Sequence, residues 1–184
     1  MDAEYCDEVP YHPRSPILKS VFVAVPMLLL SAQLHAADQD NVRAQLAAAL
    51  VCQGEVAEIV SNLAEKPPAF NSGIAATGFG EEMSYKAVAI LEKPLMIGKA
   101  STHAVVSESE STHADFLAFT YARFSGDYRD VVAELGLKAE AADAEVKLGK
   151  FVLPQADDEV CPKTIILTPG ESGHFLLGCG WCNG

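Results

Sequence analysis

The chain has 184 residues, which is enough for one domain with a sizeable core and hardly enough for two. Hydrophobic residues make up 49% of it and charged residues 21%, an ordinary globular composition. The formal net charge of −12 argues against binding to nucleic-acid phosphates or to an anionic membrane surface, because both need a surplus of Lys and Arg. A cationic partner is compatible with this charge.

The first 36 residues predict export. An uninterrupted apolar run, VFVAVPMLLL at 21–30, follows Arg14 and Lys19 and precedes small residues up to Ala36. This order is typical of a signal peptide cleaved after Ala36, and the run is shorter than the ~20 residues of a membrane-spanning helix. We therefore expect a leader and signal peptide at 1–36, a single disulfide-stabilised domain at 37–184, no membrane anchor after cleavage, and a periplasmic or secreted location. Residues 1–36 hold four acids and two bases, so 37–184 carry a net charge of −10.

The first half of this domain reads as one helix and three strands. Residues 41–65 have apolar positions at helical spacing, with a break at Gly54 left open, and the three glycines of 69–81 predict a loop. Strands are predicted at 83–91, at 95–106 with a bend at Gly98, and at 111–124. The last of these is apolar on both faces, which predicts a central position in the sheet.

The second half repeats this order. Ser125 or Asp127 caps a helix that ends at Gly136, and 138–143 extend it weakly. Strands follow at 146–154, 161–168 and 174–179, the last two joined by a turn at 169–173. The predicted fold class is α+β, with two helices packed on one face of an antiparallel sheet of about six strands in the order α-βββ-α-βββ.

Four cysteines lie beyond the leader, and an even number in an exported chain predicts two disulfides. Four cysteines allow three pairings, of which we expect Cys52 with Cys161 and Cys179 with Cys182. The motif Cys179-Gly180-Trp181-Cys182 leaves a thiol-disulfide function open as an alternative. We do not expect a redox centre here, because a thioredoxin-like site needs a helix after the motif and a βαβ pattern before it, and neither is predicted.

A repeated tetrapeptide marks the candidate binding segment. Ser-Thr-His-Ala occurs at 101–104 and again at 111–114, on either side of Ser107–Glu110. We predict a hairpin centred on Glu108 that presents Glu108, Ser109 and Glu110 to a basic surface, a plain solvated turn being the alternative. In such a hairpin His103 and His113 would lie opposite each other, which leaves metal binding open, although a zinc site needs three or four ligands.

No catalytic residue, metal site or cofactor is assigned from the sequence. The glycines fit neither the dinucleotide nor the P-loop spacing, and no nucleophile elbow is present. The leading hypothesis is an exported, non-catalytic protein that binds another protein with a basic surface, such as an inhibitor or immunity-type partner of a basic envelope hydrolase. The alternative is a thiol-disulfide or metal-binding envelope protein.

Overall fold

The structure, a computed structural model, describes residues 40–53, 58–66, 72–80, 85–109, 118–144, 147–155 and 162–181. The predicted leader at 1–36 lies outside these residues, as do Glu110, His113, Cys161 and Cys182. Three helices and eight strands are present in the described part. They are α1 (40–50), α2 (Glu58–Glu65), β1 (Ile74–Phe79), β2 (Lys86–Ile97), β3 (Ala100–Ser109), β4 (Ala118–Ser125), α3 (Tyr128–Leu135), β5 (Lys138–Ala139), β6 (Phe151–Pro154), β7 (Thr164–Pro169) and β8 (His174–Trp181).

All eight strands form one antiparallel sheet in the order β1-β2-β3-β4-β8-β7-β6-β5. The strands β1 to β4 form one meander and β5 to β8 a second, and the two meanders join where β4 pairs with β8. The prediction of helices combined with an antiparallel sheet is confirmed. The prediction of two helices and about six strands is wrong, because each half has four strands and the first half has two helices.

The helices pack on one face of the sheet, which we call the inner face. Leu46 and Leu50 of α1, Val60 of α2 and Val131 of α3 are fully buried in a single apolar cluster. Burial of each such side chain contributes roughly 1.5–3 kcal/mol. The sheet supplies the other half of this cluster through every second residue of its strands, including Ala87, Ala89, Leu91, Val105, Ala122, Phe124, Ile165, Leu167, Phe175 and Leu177.

Strand β1 occupies Ile74–Phe79, so the loop predicted at 69–81 is wrong over these residues, while 69–71 and 81 lie outside the described residues. Ile74 lies opposite Leu91 and Phe79 opposite Lys86, and burial alternates along the strand. The glycine in this strand has a packing role, because a Cβ on Gly78 would lie 1.8 Å from the hydroxyl oxygen of Tyr85. A glycine that predicts a loop in isolation therefore makes room for a neighbouring ring.

The bend predicted at Gly98 is confirmed as the turn of the β2–β3 hairpin. Gly98 has φ +56°, a left-handed conformation that glycine adopts without steric cost. Pro94 lies inside β2, where a central strand would normally exclude it. The pairing with β3 is interrupted between Ile90 and Leu95, so Pro94 has no ladder hydrogen bond to break there.

Helix α3 begins and ends at the predicted residues. The carboxylate of Asp127 accepts a hydrogen bond of 2.9 Å from the backbone N–H of Arg129, and Gly136 at φ +68° ends the helix. The weak helical extension predicted at 138–143 is wrong. Lys138 and Ala139 instead form β5, because the left-handed Gly136 turns the chain so that Ala139 pairs with Phe151.

Candidate functional site

The other face of the sheet carries no helix in the described part of the chain, and we call it the outer face. Its side chains alternate with those of the core along β4, and along β2 on either side of the irregularity between Ile90 and Leu95. Four large apolar residues on it are well exposed: Phe79 at 54%, Ile90 at 55%, Met96 at 50% and Leu176 at 39%. These are the exposed large hydrophobic residues of the described chain, and all four lie on this one face.

The outer face is covered in one part and open in another. Over β7, a Cβ on Gly149 would lie 2.5 Å from Cγ2 of Ile166, so the segment before β6 lies against this strand. Ile166 is accordingly buried, with Phe119 in the same small apolar cluster. The strands β1, β2 and β3 have no comparable cover among the described residues. The open part of the outer face therefore includes the β1 side of the sheet, and it extends to the exposed Arg123 and Leu176 on β4 and β8.

A polar network lies at the border of the open part. The hydroxyl of Tyr121 donates a hydrogen bond of 2.6 Å to Oε1 of Glu108, and Nζ of Lys86 lies 3.3 Å from Oε2 of the same carboxylate. Burial, followed by the hydrogen bond to Glu108 and its charge, raises the pKa of Tyr121 well above its usual value. The network therefore holds a carboxylate with one cation and one neutral phenol on the sheet surface.

The prediction that Glu108 lies at a hairpin tip is wrong. Strand β3 continues through Glu108, which pairs with Lys86 on one side and Phe119 on the other. Since Ser109 lies opposite Ala118, the connection between β3 and β4 falls at 110–117, outside the described residues. The register of β3 with β4 is set by contacts across the sheet that the repeated tetrapeptide does not reveal.

The side chains chosen as partner-binding residues make internal contacts. The carboxylate of Glu108 is only 12% exposed. The hydroxyl of Ser109 accepts from the backbone N–H of Tyr85 at 2.8 Å and donates to its carbonyl at 3.2 Å. Glu110 lies outside the described residues. A role of Glu108, Ser109 and Glu110 in binding a partner stays a prediction.

The Tyr121 hydroxyl makes a testable contribution to stability at high pH. Because its pKa is raised in the folded chain, the unfolded chain loses this proton first, from about pH 10 upward. The free energy of unfolding is therefore expected to fall as pH rises toward the folded-state pKa, and Tyr121→Phe should remove this part of the fall. Urea unfolding at about pH 9 and about pH 11 measures it, with Tyr128→Phe as the control. An identical pH dependence in Tyr121→Phe and the native chain would contradict the assignment.

The cysteine pairing differs from the prediction. Cys52 and Cys179 form a disulfide with an S–S distance of 2.05 Å and a Cα–Cα distance of 5.1 Å. Cys179 is fully buried on the inner face, where it faces the helices, and Cys52 lies two residues after the end of α1. The expected pairs Cys52–Cys161 and Cys179–Cys182 are therefore wrong. The thiol-disulfide alternative required a bond between Cys179 and Cys182, and it loses its proposed pair.

The histidine pair predicted for metal binding is not assembled in the described residues. His103 lies on β3, where its Nδ1 is 3.0 Å from the carbonyl oxygen of Leu91. His113 falls in the segment between β3 and β4 that is not described. Within the described ranges, no three His, Cys, Asp or Glu side chains are grouped to hold a metal ion.

The exposed outer-face residues are not among the binding residues predicted from the sequence. Phe79 lies in the segment predicted as a loop, while Ile90 and Leu176 lie in predicted strands. The alternation of side chains in β2 and β8 assigns their residues to two opposite faces of the sheet, but it does not indicate which face the helices cover.

Comparison with known proteins gives no assignment: protein-family models, curated protein sequences and solved structures were searched, and none matches the chain. Among the described residues, no helix combines the length and the apolar character needed to cross a bilayer.

Proposed function

We propose that this chain is an exported, non-catalytic protein that binds another protein through the outer face of its sheet. The observation that carries the proposal is that Phe79, Ile90, Met96 and Leu176, the exposed large apolar residues of the described chain, all lie on the face that has no helix in the described part. A single exposed apolar residue is ordinary, whereas apolar residues exposed along one face favour an interaction surface. The hydrogen-bonded strands of the sheet would hold these side chains at fixed spacing.

The proposed occupant is a protein with a basic surface, such as a hydrolase of the cell envelope that this chain inhibits or neutralises. The chain has a formal net charge of −12 and a sequence pI near 4.7. An acidic protein attracts a basic one at long range and accelerates association. Once the complex has formed, apolar contacts on the outer face would supply the binding free energy that holds it together.

Export to the periplasm or outside the cell is part of the same proposal. The apolar run at 21–30 and the small residues up to Ala36 support it from the sequence. The disulfide between Cys52 and Cys179 is compatible with it, because such bonds persist in oxidising compartments.

The outer face can be tested with two charged substitutions. In Phe79→Asp and Ile90→Asp, a carboxylate replaces a half-exposed apolar side chain. The dissociation constant of the complex with a partner captured at near-equal stoichiometry should therefore rise by about tenfold or more. The measurement is affinity capture from envelope extract of the source organism with the full chain carrying a tag, at low and moderate salt. The captured protein is then purified and titrated against each variant.

Ala133→Asp provides the matched control, because Ala133 is exposed on α3, away from the outer face. It adds the same charge to the chain and should leave the dissociation constant nearly unchanged. Circular dichroism of all three variants confirms that they fold. Equal affinities of the native chain and the two outer-face variants would contradict the proposal.

A further inference from the structure

A depression of about 260 Å³ lies on the outer face where β4, β8 and β7 adjoin. Arg123 of β4 lies directly opposite Leu176 of β8, which in turn lies opposite Thr168 of β7. The guanidinium, the aliphatic side chain and the hydroxyl group therefore occupy one row across three strands. The remaining lining comes from Pro169, Gly170, Glu171, His174 and Phe175.

Arg123 lacks the carboxylate partner that the other described arginines have. Arg43 forms an ion pair with Asp40, and Nη1 of Arg129 lies 3.5 Å from Oδ1 of Asp127. No carboxylate of the described residues lies within ion-pair distance of Arg123, although Glu171 lines the same depression. Among the described residues, this exposed guanidinium near the centre of the sheet thus has no ion-pair partner.

The histidine beside it is held in place. Nδ1 of His174 lies 3.1 Å from Oγ of Ser125, its cross-strand neighbour. When the Ser125 hydroxyl donates this hydrogen bond, the imidazole carries its proton on Nε2 and can donate to an anion. His174, Thr168 and Arg123 then offer three kinds of hydrogen-bond donor around one depression.

We propose that this depression binds a side-chain carboxylate flanked by apolar residues on a partner protein. A guanidinium matches a carboxylate in two parallel hydrogen bonds, and Leu176 offers apolar contact beside it. The carboxylate of Glu171 at the rim opposes a doubly charged phosphate more strongly than a singly charged carboxylate.

The inference rests on the proposed function of the outer face and adds a partner chemistry to it. A basic partner approaches the acidic chain from any side, because long-range attraction does not fix orientation. One carboxylate placed on Arg123 would fix the register of the complex and discriminate against basic proteins that lack it.

The test is a nuclear magnetic resonance titration of the isotope-labelled full chain. The probes are acetyl-Leu-Glu-Leu-amide, its neutral counterpart acetyl-Leu-Gln-Leu-amide, and inorganic phosphate. We expect the Glu peptide to shift the Arg123 Nε–H and Leu176 amide signals with a Kd in the millimolar range, and the Gln peptide to bind about tenfold more weakly. Arg123→Gln should abolish the difference between the peptides, and Arg129→Gln should preserve it.

Three results would overturn the inference: equal responses to the Glu and Gln peptides, no saturable shift up to roughly 20 mM Glu peptide, or tighter binding of phosphate than of the peptide. The proposed function and the carboxylate inference can be overturned separately. If Phe79→Asp and Ile90→Asp leave the partner's affinity unchanged, the outer-face proposal fails. If those variants weaken binding while Arg123→Gln has no effect on partner or peptides, only the carboxylate inference fails.

Discussion

Removal of the Cys52–Cys179 disulfide is expected to lower the free energy of unfolding by roughly 2–5 kcal/mol. The bond joins residues 127 positions apart, so its loss frees a large loop in the unfolded chain. It also releases the end of α1 from the centre of the sheet, since Cys179 lies on β8 next to β4. The double variant Cys52→Ala, Cys179→Ala avoids leaving a lone thiol from this pair.

Urea unfolding of the native chain and the double variant measures the effect. In the presence of a reductant the two proteins should have nearly the same stability, because the bond is then absent from both. Equal stabilities without reductant would show that the bond does not form in the native chain.

Peptide mapping under non-reducing conditions checks the connectivity itself. A digest that cleaves after Trp181 separates Cys179 from Cys182, and we expect the peptide of Cys52 to remain linked to that of Cys179. If the chain that begins after the proposed cleavage at Ala36 forms a second disulfide, the remaining pair is Cys161 with Cys182. A link between Cys52 and Cys161 would restore the pairing first expected from the sequence and would contradict the structure.

The elements predicted correctly carry local signals. Asp127 and Gly136 fix both ends of α3 through their own backbone and side-chain chemistry, and neither depends on a distant residue. The turn before β8 is likewise local, with Ser172 and Gly173 at positive φ and the N–H of Gly170 bonded to the carbonyl of His174. Such features can be recognised from a few adjacent residues.

The elements predicted incorrectly depend on partners far along the chain. Strand β5 has two residues, Lys138 and Ala139, and is a strand only because β6 lies beside it. Strand β1 similarly takes its conformation from β2. Ala76 lies opposite Ala89, and Gly78 lies opposite Ala87. Pairing across a sheet overrides local propensity in both cases.

The candidate site was harder to predict than the fold for a related reason. The position of Glu108 depends on the register of β3, and a change of one residue exchanges the two faces. The disulfide partner of Cys179 depends on where α1 crosses the sheet. The exposure of Phe79 and Ile90 depends on which face the helices cover, and a strand's own residues do not encode that choice.

Phe124→Ala is expected to destabilise the chain by about 3–5 kcal/mol, and Phe175→Ala by a similar amount. Phe124 is fully buried and Phe175 nearly so, and their rings stack across β4 and β8 with centroids 5.5 Å apart. Each truncation loses the free energy gained by burying the ring and leaves a cavity at the junction of the two meanders. Because a domain of this kind is stable by only about 5–15 kcal/mol, the double variant should be largely unfolded or close to it.

A double-mutant cycle measured by urea unfolding separates the ring–ring contact from the two cavities, with an expected coupling of about 0.5–1.5 kcal/mol. Ile90→Ala is the control, since this outer-face residue is 55% exposed and its truncation should change stability by less than about 0.5 kcal/mol. Both phenylalanines face the helices, so a single variant that is still folded should retain partner binding through the outer face, whereas Ile90→Ala should weaken binding without loss of stability. Loss of binding in a folded Phe124→Ala chain would mean that the binding surface includes the helical side of the sheet.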